Sequence, residues 1–161
     1  MDTAQLEAHF RARQKAVHPD YFSSAPAAER AAVAAASASL NVAYRALRDP
    51  VQRAQHLLEL QGLDAVGEAA GRGGGGVSPQ LLAQVLEARE AVGDASTPLD
   101  ELRALWARAS AAAARCEEDL RAAFDAGGGP RARDVTVALS YYRKLEEEAG
   151  EAVERRGGGS R

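Results

Sequence analysis

Residues 99–120, LDELRALWARASAAAARCEEDL, carry Leu99, Leu102, Trp106, Ala109, Ala113, Cys116 and Leu120 at spacings of three and four without a break. Positions three and four apart share one face of an α-helix, so this run predicts a single long helix with a continuous buried seam. A seam of that length needs neighbours to cover it, which points to a helical bundle. Downstream, Val135, Ala138, Tyr142, Leu145, Ala149 and Ala152 repeat the same alternation. Between the two runs, Gly127 to Gly129 and Pro130 break the chain. Upstream, Thr97-Pro98 opens the long helix, with Thr97 and Asp100 spaced as a capping box. Ser78-Pro79 opens an earlier helix that carries Leu81, Leu82, Val85, Leu86 and Val92. Three helices joined by short breaks predict an antiparallel three-helix bundle over residues 79–155, with residues 156–161 as a disordered tail.

Before the bundle lies GLDAVGEAAGRGGGGVSP, in which five of the six residues from Gly71 to Gly76 are glycine. That is linker composition, and a domain boundary is placed over residues 63–78. The first 62 residues read as three further helices. From Asp2 to Val17 the apolar residues Leu6, Phe10 and Val17 fall in one sector of the helical wheel. Arg11, Lys15 and His18 are spaced four and three apart and form a basic stripe on another face. Pro19 stops this helix, since proline removes a backbone donor and pushes its predecessor out of helical dihedrals. A second helix runs from Ala27 to Arg48 with Val33, Leu40, Tyr44 and Leu47 inward. Asp49-Pro50 ends it and starts a third, with Asp49 as N-cap, Leu57, Leu58 and Leu60 for the core and Gly62 at the C-terminal end. The fold class is therefore all-α, in two domains. Alanine, the best helix former, supplies much of the 46% hydrophobic content, while β-branched and aromatic residues are scarce.

Charge and composition exclude several functions. A net charge of −3 lacks the basic balance of a protein that coats nucleic acid, so the expected partners are proteins. No run reaches the length of a membrane span. The opening MDTAQLEAHF has the pattern of neither a secretory signal nor a transit peptide. A single cysteine, Cys116, permits no internal disulfide and sits on the seam, where a buried, inert thiol is expected. His9, His18 and His56 lie on separate faces or helices and no Glu-x-x-His pair occurs, so no metal or other cofactor is expected. The glycine run lacks the Gly-Lys-Ser/Thr ending of a phosphate loop. Nothing in the chain reads as catalytic.

One tripeptide remains, His18-Pro19-Asp20. By itself it is a helix stop in which Asp20 serves as a turn residue. Its setting adds to that, because it joins a basic helix to a long second helix that can pack back antiparallel, which presents one carboxylate at a rigid tip beside positive charge. This arrangement resembles the J domain, whose His-Pro-Asp loop stimulates ATP hydrolysis by seventy-kilodalton heat-shock chaperones. On that resemblance His18, Pro19 and Asp20 carry the activity, and Arg11, Arg13 and Lys15 supply the basic face. The chain would activate a partner's ATPase without being an enzyme.

HPDYF followed by SLNVAYRALRDPVQRAQHLLELQG is similar to the J domain of the HscB family, co-chaperones of iron–sulfur cluster assembly. LLAQVLEAREAV resembles that family's first C-terminal helix and LSYYRKLEEE its last. The resemblance implies an L-shaped pair of domains, with residues 1–62 as J domain and a C-terminal bundle that binds the scaffold protein on which clusters are built. Matching positions for that contact are Leu82, Leu86, Glu87, Glu90 and Asp94 on the first bundle helix and Tyr141 on the last. Glu87, Glu90 and Asp94 also share one side of their helix, an acidic rim to an apolar anchor. The family's short aromatic helix I has no counterpart ahead of Leu6, so the J-domain hairpin is expected to lack part of its cover. Tyr21 stands where the family commonly has lysine, Ala83 where it often has methionine, and the cysteine pairs of some animal members are missing. The alternative to a co-chaperone is a helical adaptor that binds the scaffold or another protein and activates no chaperone. Eighteen arginines against two lysines and the interrupted linker suggest the mitochondrial matrix as compartment, with bacterial cytoplasm as the alternative.

Overall fold

The computed structural model describes residues 2–63 and 78–158. The glycine-rich centre of the expected linker and residues 159–161 of the expected tail lie outside them. Six α-helices and one short 3-10 turn make up the described residues: α1 Thr3–Ala16, the turn Pro19–Phe22, α2 Ala27–Arg48, α3 Pro50–Leu60, α4 Pro79–Gly93, α5 Leu99–Asp125 and α6 Gly129–Gly157. The chain divides into two compact units, one ending at Arg53 and the other beginning at Ala54.

In the first unit, α1 and α2 pack against each other as a hairpin. Asp2 caps α1, its carboxylate accepting from the backbone N–H groups of Ala4 and Gln5 at 2.9 and 3.1 Å. Phe10 stacks on Tyr44 across the hairpin, ring centroids 4.0 Å apart. Asn41 donates to the Ser37 carbonyl at 2.9 Å, so the Asn-x-Ala-Tyr stretch supplies one helix-borne hydrogen bond and one interhelical ring contact. No residue of α1, the 3-10 turn or α2 is fully buried. The hairpin thus holds its partners through half-buried faces.

The α2–α3 corner explains the run Asp49-Pro50-x-x-Arg53. Asp49 accepts from Val51 and Gln52 N–H at 2.8 and 2.9 Å, Pro50 opens α3, and Arg53 reaches back to donate to the Leu47 carbonyl at 2.6 Å. One carboxylate satisfies two orphan amides, and one guanidinium satisfies an orphan carbonyl. Asp49→Ala is expected to lower the unfolding free energy by about 1 kcal/mol. A denaturant titration in which it matches the parent chain would contradict that role.

In the second unit α5 and α6 form the main pair, and α4 leans chiefly on α6. The core joins Val92, Leu102, Leu105, Ala109, Leu145, Ala149 and Ala152. Alanines at the contact let the helices approach closely, so the few buried leucines do much of the apolar burial. Two helices of this unit, α3 and α5, are stopped by left-handed glycines. Gly62 (φ 72°) and Gly127 (φ 67°) each follow a helix whose last carbonyls accept from the two residues after the cap.

Several expectations are corrected by packing. Leu105 and Ala112 are buried in α5, whereas Trp106 is 45% exposed and Cys116 is only half-buried. In the first half of α6 the buried residues are Ala132, Thr136 and Leu139, and Val135, Ala138 and Tyr142 are half-buried. Leu63 packs at the start of α6, where its side chain fills the space that a Cβ on Gly129 would need. Thr97 forms no capping box: its buried hydroxyl donates to the Ala91 carbonyl at 2.7 Å, and Asp100 pairs with Arg103. Residues 156 and 157 belong to α6 rather than to the expected tail, and Arg156 donates to the Thr97 and Asp94 carbonyls, both at 2.6 Å.

Candidate partner-binding surfaces

The first surface is the loop after α1. The helix ends at Ala16, with Val17 as C-cap, because His18 must be extended before Pro19 (φ −75°, ψ 126°). His18 is therefore off the helical stripe that periodicity assigns it with Arg11 and Lys15. It starts the next element instead, its Nδ1 accepting from the Asp20 N–H at 3.3 Å. An accepting Nδ1 requires an unprotonated nitrogen there. The Asp20 carboxylate lies 3.6 Å from the same nitrogen, and its side chain is 86% exposed. The Tyr21 ring meets His18 edge-on, centroids 5.8 Å apart. His18, Pro19 and Asp20 thus form a self-braced tip with a carboxylate facing water.

The basic residues around it differ in availability. Arg11 is tied to Glu7 one turn earlier, so its charge is largely cancelled. Arg13 and Lys15 occupy the last turn of α1 and are exposed. Cations at a helix C-terminus are favoured by the backbone dipole, and these two leave the tip flanked by unpaired positive charge.

The second surface lies on α4. Leu82 and Leu86 are 42% and 52% exposed, although Val85 and Val92 of the same helix are buried. Ser78 starts α4, its hydroxyl accepting from the Leu81 N–H at 3.1 Å. Arg89 of α4 makes a two-pronged ion pair with Glu148 of α6, at 2.8 and 2.7 Å. Arg156 and Thr97 repeat the same sequence offset further along, so α4 and α6 run parallel in register. Two turns before Arg89 and Glu148 stand Leu82 and Tyr141, which places that half-buried tyrosine level with the exposed leucines. The three acids of the expected rim separate. Glu87 borders a groove towards α5, beside Glu101 and Arg108. Glu90 borders the groove towards α6 together with Leu86. Asp94 caps the end of α4, and its carboxylate accepts from the Ser96 N–H and hydroxyl at 2.8 Å, which holds its pKa below the ordinary carboxylate range. The sequence reading missed Arg89, Glu148, Glu151 and Arg155, whose common groove is set by helix pairing rather than by any local motif.

Other chemistry finds little support in the geometry. Among the described residues no group of three or more His, Cys, Asp or Glu side chains is placed to hold a metal ion. Burial and, secondarily, Asp119 push the Cys116 thiol above its ordinary range, which disfavours the nucleophilic thiolate. No helix among the described residues is long and apolar enough to cross a membrane.

A family model described as the HSCB C-terminal oligomerisation domain matches residues 77–150. The curated co-chaperone protein HscB homologue of Cupriavidus taiwanensis is 34% identical over 157 residues, covering 96% of this chain and 87% of the relative. That of Burkholderia multivorans has the same identity and coverage. Among solved structures, the chaperone HscB from Vibrio cholerae superposes with a TM-score of 0.81 at 28% identity, covering 96% of this chain and 90% of that one. The human co-chaperone protein HscB shares the fold at a TM-score of 0.82 and 24% identity, covering 94% and 74% of the two chains.

Proposed function

The chain belongs to the HscB family of co-chaperones, and we propose that its His18-Pro19-Asp20 loop stimulates ATP hydrolysis by a seventy-kilodalton chaperone while its C-terminal bundle brings an iron–sulfur cluster scaffold protein to that chaperone. The observation that carries this reading is the Asp20 carboxylate, exposed and contacted only by His18 of its own loop. An exposed carboxylate on a loop braced through its own backbone N–H is free to accept a charge-assisted hydrogen bond from a partner. Arg13 and Lys15 steer an acidic partner surface to the tip, and Pro19 limits the loop's freedom before binding. On this reading the bonds made and broken are those of the ATP bound to the partner, and the protein acts as an activator of the partner's ATPase. Residues 1–62 take the J-domain role and residues 79–155 the scaffold-binding role. Leu82, Leu86 and Tyr141 form the apolar anchor of the scaffold contact, with Glu87, Glu90 and Asp94 around it.

A second reading is favoured by the open hairpin. With no fully buried residue in α1 or α2, the first unit offers its tip on a loosely held frame, and an adaptor that binds the scaffold without activating a chaperone is consistent with that. Single-turnover ATP hydrolysis by the chaperone, with the full chain and scaffold added, separates the two. The co-chaperone reading expects acceleration; scaffold binding with an unchanged hydrolysis rate would leave only the adaptor. The bacterial relatives support the bacterial cytoplasm as the working compartment and lend the mitochondrial matrix no support.

A further inference from the structure

Resting on the activator reading above, we propose that His18 is a titratable positioning residue. While Nδ1 is unprotonated it braces the loop with the Asp20 carboxylate free for the partner; once protonated, the same nitrogen takes that carboxylate for itself, so activation weakens as pH falls. Two groups of Asp20 meet this one nitrogen. The backbone N–H donates to it at 3.3 Å, and a carboxylate oxygen stands 3.6 Å away on a side chain that is 86% exposed. The Tyr21 ring lies edge-on to the imidazole, centroids 5.8 Å apart, and Pro19 restricts the backbone between the two residues.

The two states exclude each other because of what a ring nitrogen can do. Unprotonated it accepts and cannot donate; protonated it donates and cannot accept. The Asp20 N–H therefore keeps its acceptor only in the neutral state. When that acceptor is lost, the amide turns to water at little cost, since the contact is exposed. In the imidazolium, the new N–H at Nδ1 faces the carboxylate oxygen, and a small rotation of the exposed Asp20 side chain brings the two into hydrogen-bond range. Opposite charges favour that closure. The tip then carries no net charge, and the oxygen that a donor of the partner needs is already engaged. Arg13 and Lys15 stand in the last turn of α1, and Glu29 and Arg30 at the start of α2. Arg30 is spent on the Ala25 carbonyl at 2.7 Å, and no hydrogen bond or ion pair joins any of the four to the imidazole. Among the described residues Asp20 is thus the one ionisable group paired with the ring.

Histidine as a residue type changes charge between about pH 5 and 8, which sets the window for the test. In the full chain alone, NMR is expected to show the Asp20 amide and carboxyl-carbon signals moving together with the His18 ring on acidification, and not with the rings of His9 or His56. Asp20 signals that stay flat while His18 protonates would overturn the coupling. Single-turnover ATP hydrolysis by the seventy-kilodalton chaperone of the same genome is then followed at fixed ionic strength, each rate divided by that of the chaperone alone. The co-chaperone concentration for half-maximal acceleration is expected to rise about three- to fivefold from about pH 8 to about pH 6, the size expected when an exposed ion pair competes with the partner. His9→Gln and His56→Gln should keep that response. A chain carrying ring-fluorinated histidine, which has the same shape but stays neutral over this window, should lose it. Acceleration that is present but independent of pH in the parent, or a response that survives fluorination and so belongs to the chaperone, would sink the switch and leave the activator reading standing. No acceleration at any pH would remove the activator reading and the switch with it.

Discussion

Asp20→Asn is expected to return single-turnover ATP hydrolysis by the partner chaperone to its basal rate at co-chaperone concentrations where the parent chain accelerates it. Asparagine keeps the size and planarity of the side chain, and the brace from the Asp20 N–H to His18 Nδ1 does not involve the carboxylate. What is lost is one negative charge at a tip that is 86% exposed in its side chain, where little of the chain's own stability depends on it. A hydrogen bond to a charged group contributes about 1.5–3 kcal/mol, so its loss weakens the productive encounter about ten- to hundredfold. The thermal melt should therefore stay put while stimulation disappears. Lys15→Gln provides the contrast. Its charge steers rather than docks, so that variant should lower the apparent association rate by a few-fold and flatten its dependence on salt, yet reach the same acceleration at saturation. If Asp20→Asn accelerates hydrolysis as well as the parent chain, the loop is not the activating element.

The difference between those two residues was partly visible in the sequence. Pro19 announces that the helix cannot continue, and the tripeptide by itself locates the tip. The role of His18 was not visible, because periodicity extends a helical stripe through a residue whose backbone is already extended. Helix starts and stops were legible at Asp49-Pro50, Ser78-Pro79, Gly62 and Gly127, where a capping side chain, a proline or a glycine enforces them. Thr97 misled because Pro98 occupies the N-cap position, which leaves Thr97 one residue too early to cap α5, and its hydroxyl donates to the Ala91 carbonyl instead. The Arg89–Glu148 pair joins residues 59 positions apart, and no pattern in one sequence specifies such a partner. The acidic rim on α4 was legible as one side of a helix, but which groove each acid enters depends on where the neighbouring helices lie.

The same limit applies to the core of α6, and there it bears on a large expected stability effect. An alanine-rich helix fits more than one three-and-four register, because small apolar residues fill almost every candidate face. The register through Val135, Ala138 and Tyr142 is consistent with the sequence, yet the residues excluded from water are Thr136, whose hydroxyl donates to the Ala132 carbonyl at 2.7 Å, and Leu139. Leu139 is 0% exposed and one of the few large side chains completely enclosed. Trimming its isobutyl group to a methyl leaves a cavity at a fully enclosed site. Leu139→Ala is therefore expected to cost about 3–5 kcal/mol, while Val135→Ala, at a half-buried site, costs about 1 kcal/mol or less. Paired denaturant titrations of the two variants decide between the registers. Equal losses, or a larger loss at Val135, would mean that the seam follows the simple alternation. A dominant loss at Leu139 would mean that the core of α6 follows the face through Ala132, Thr136 and Leu139, one of several nearly equally apolar faces that an alanine-rich helix offers.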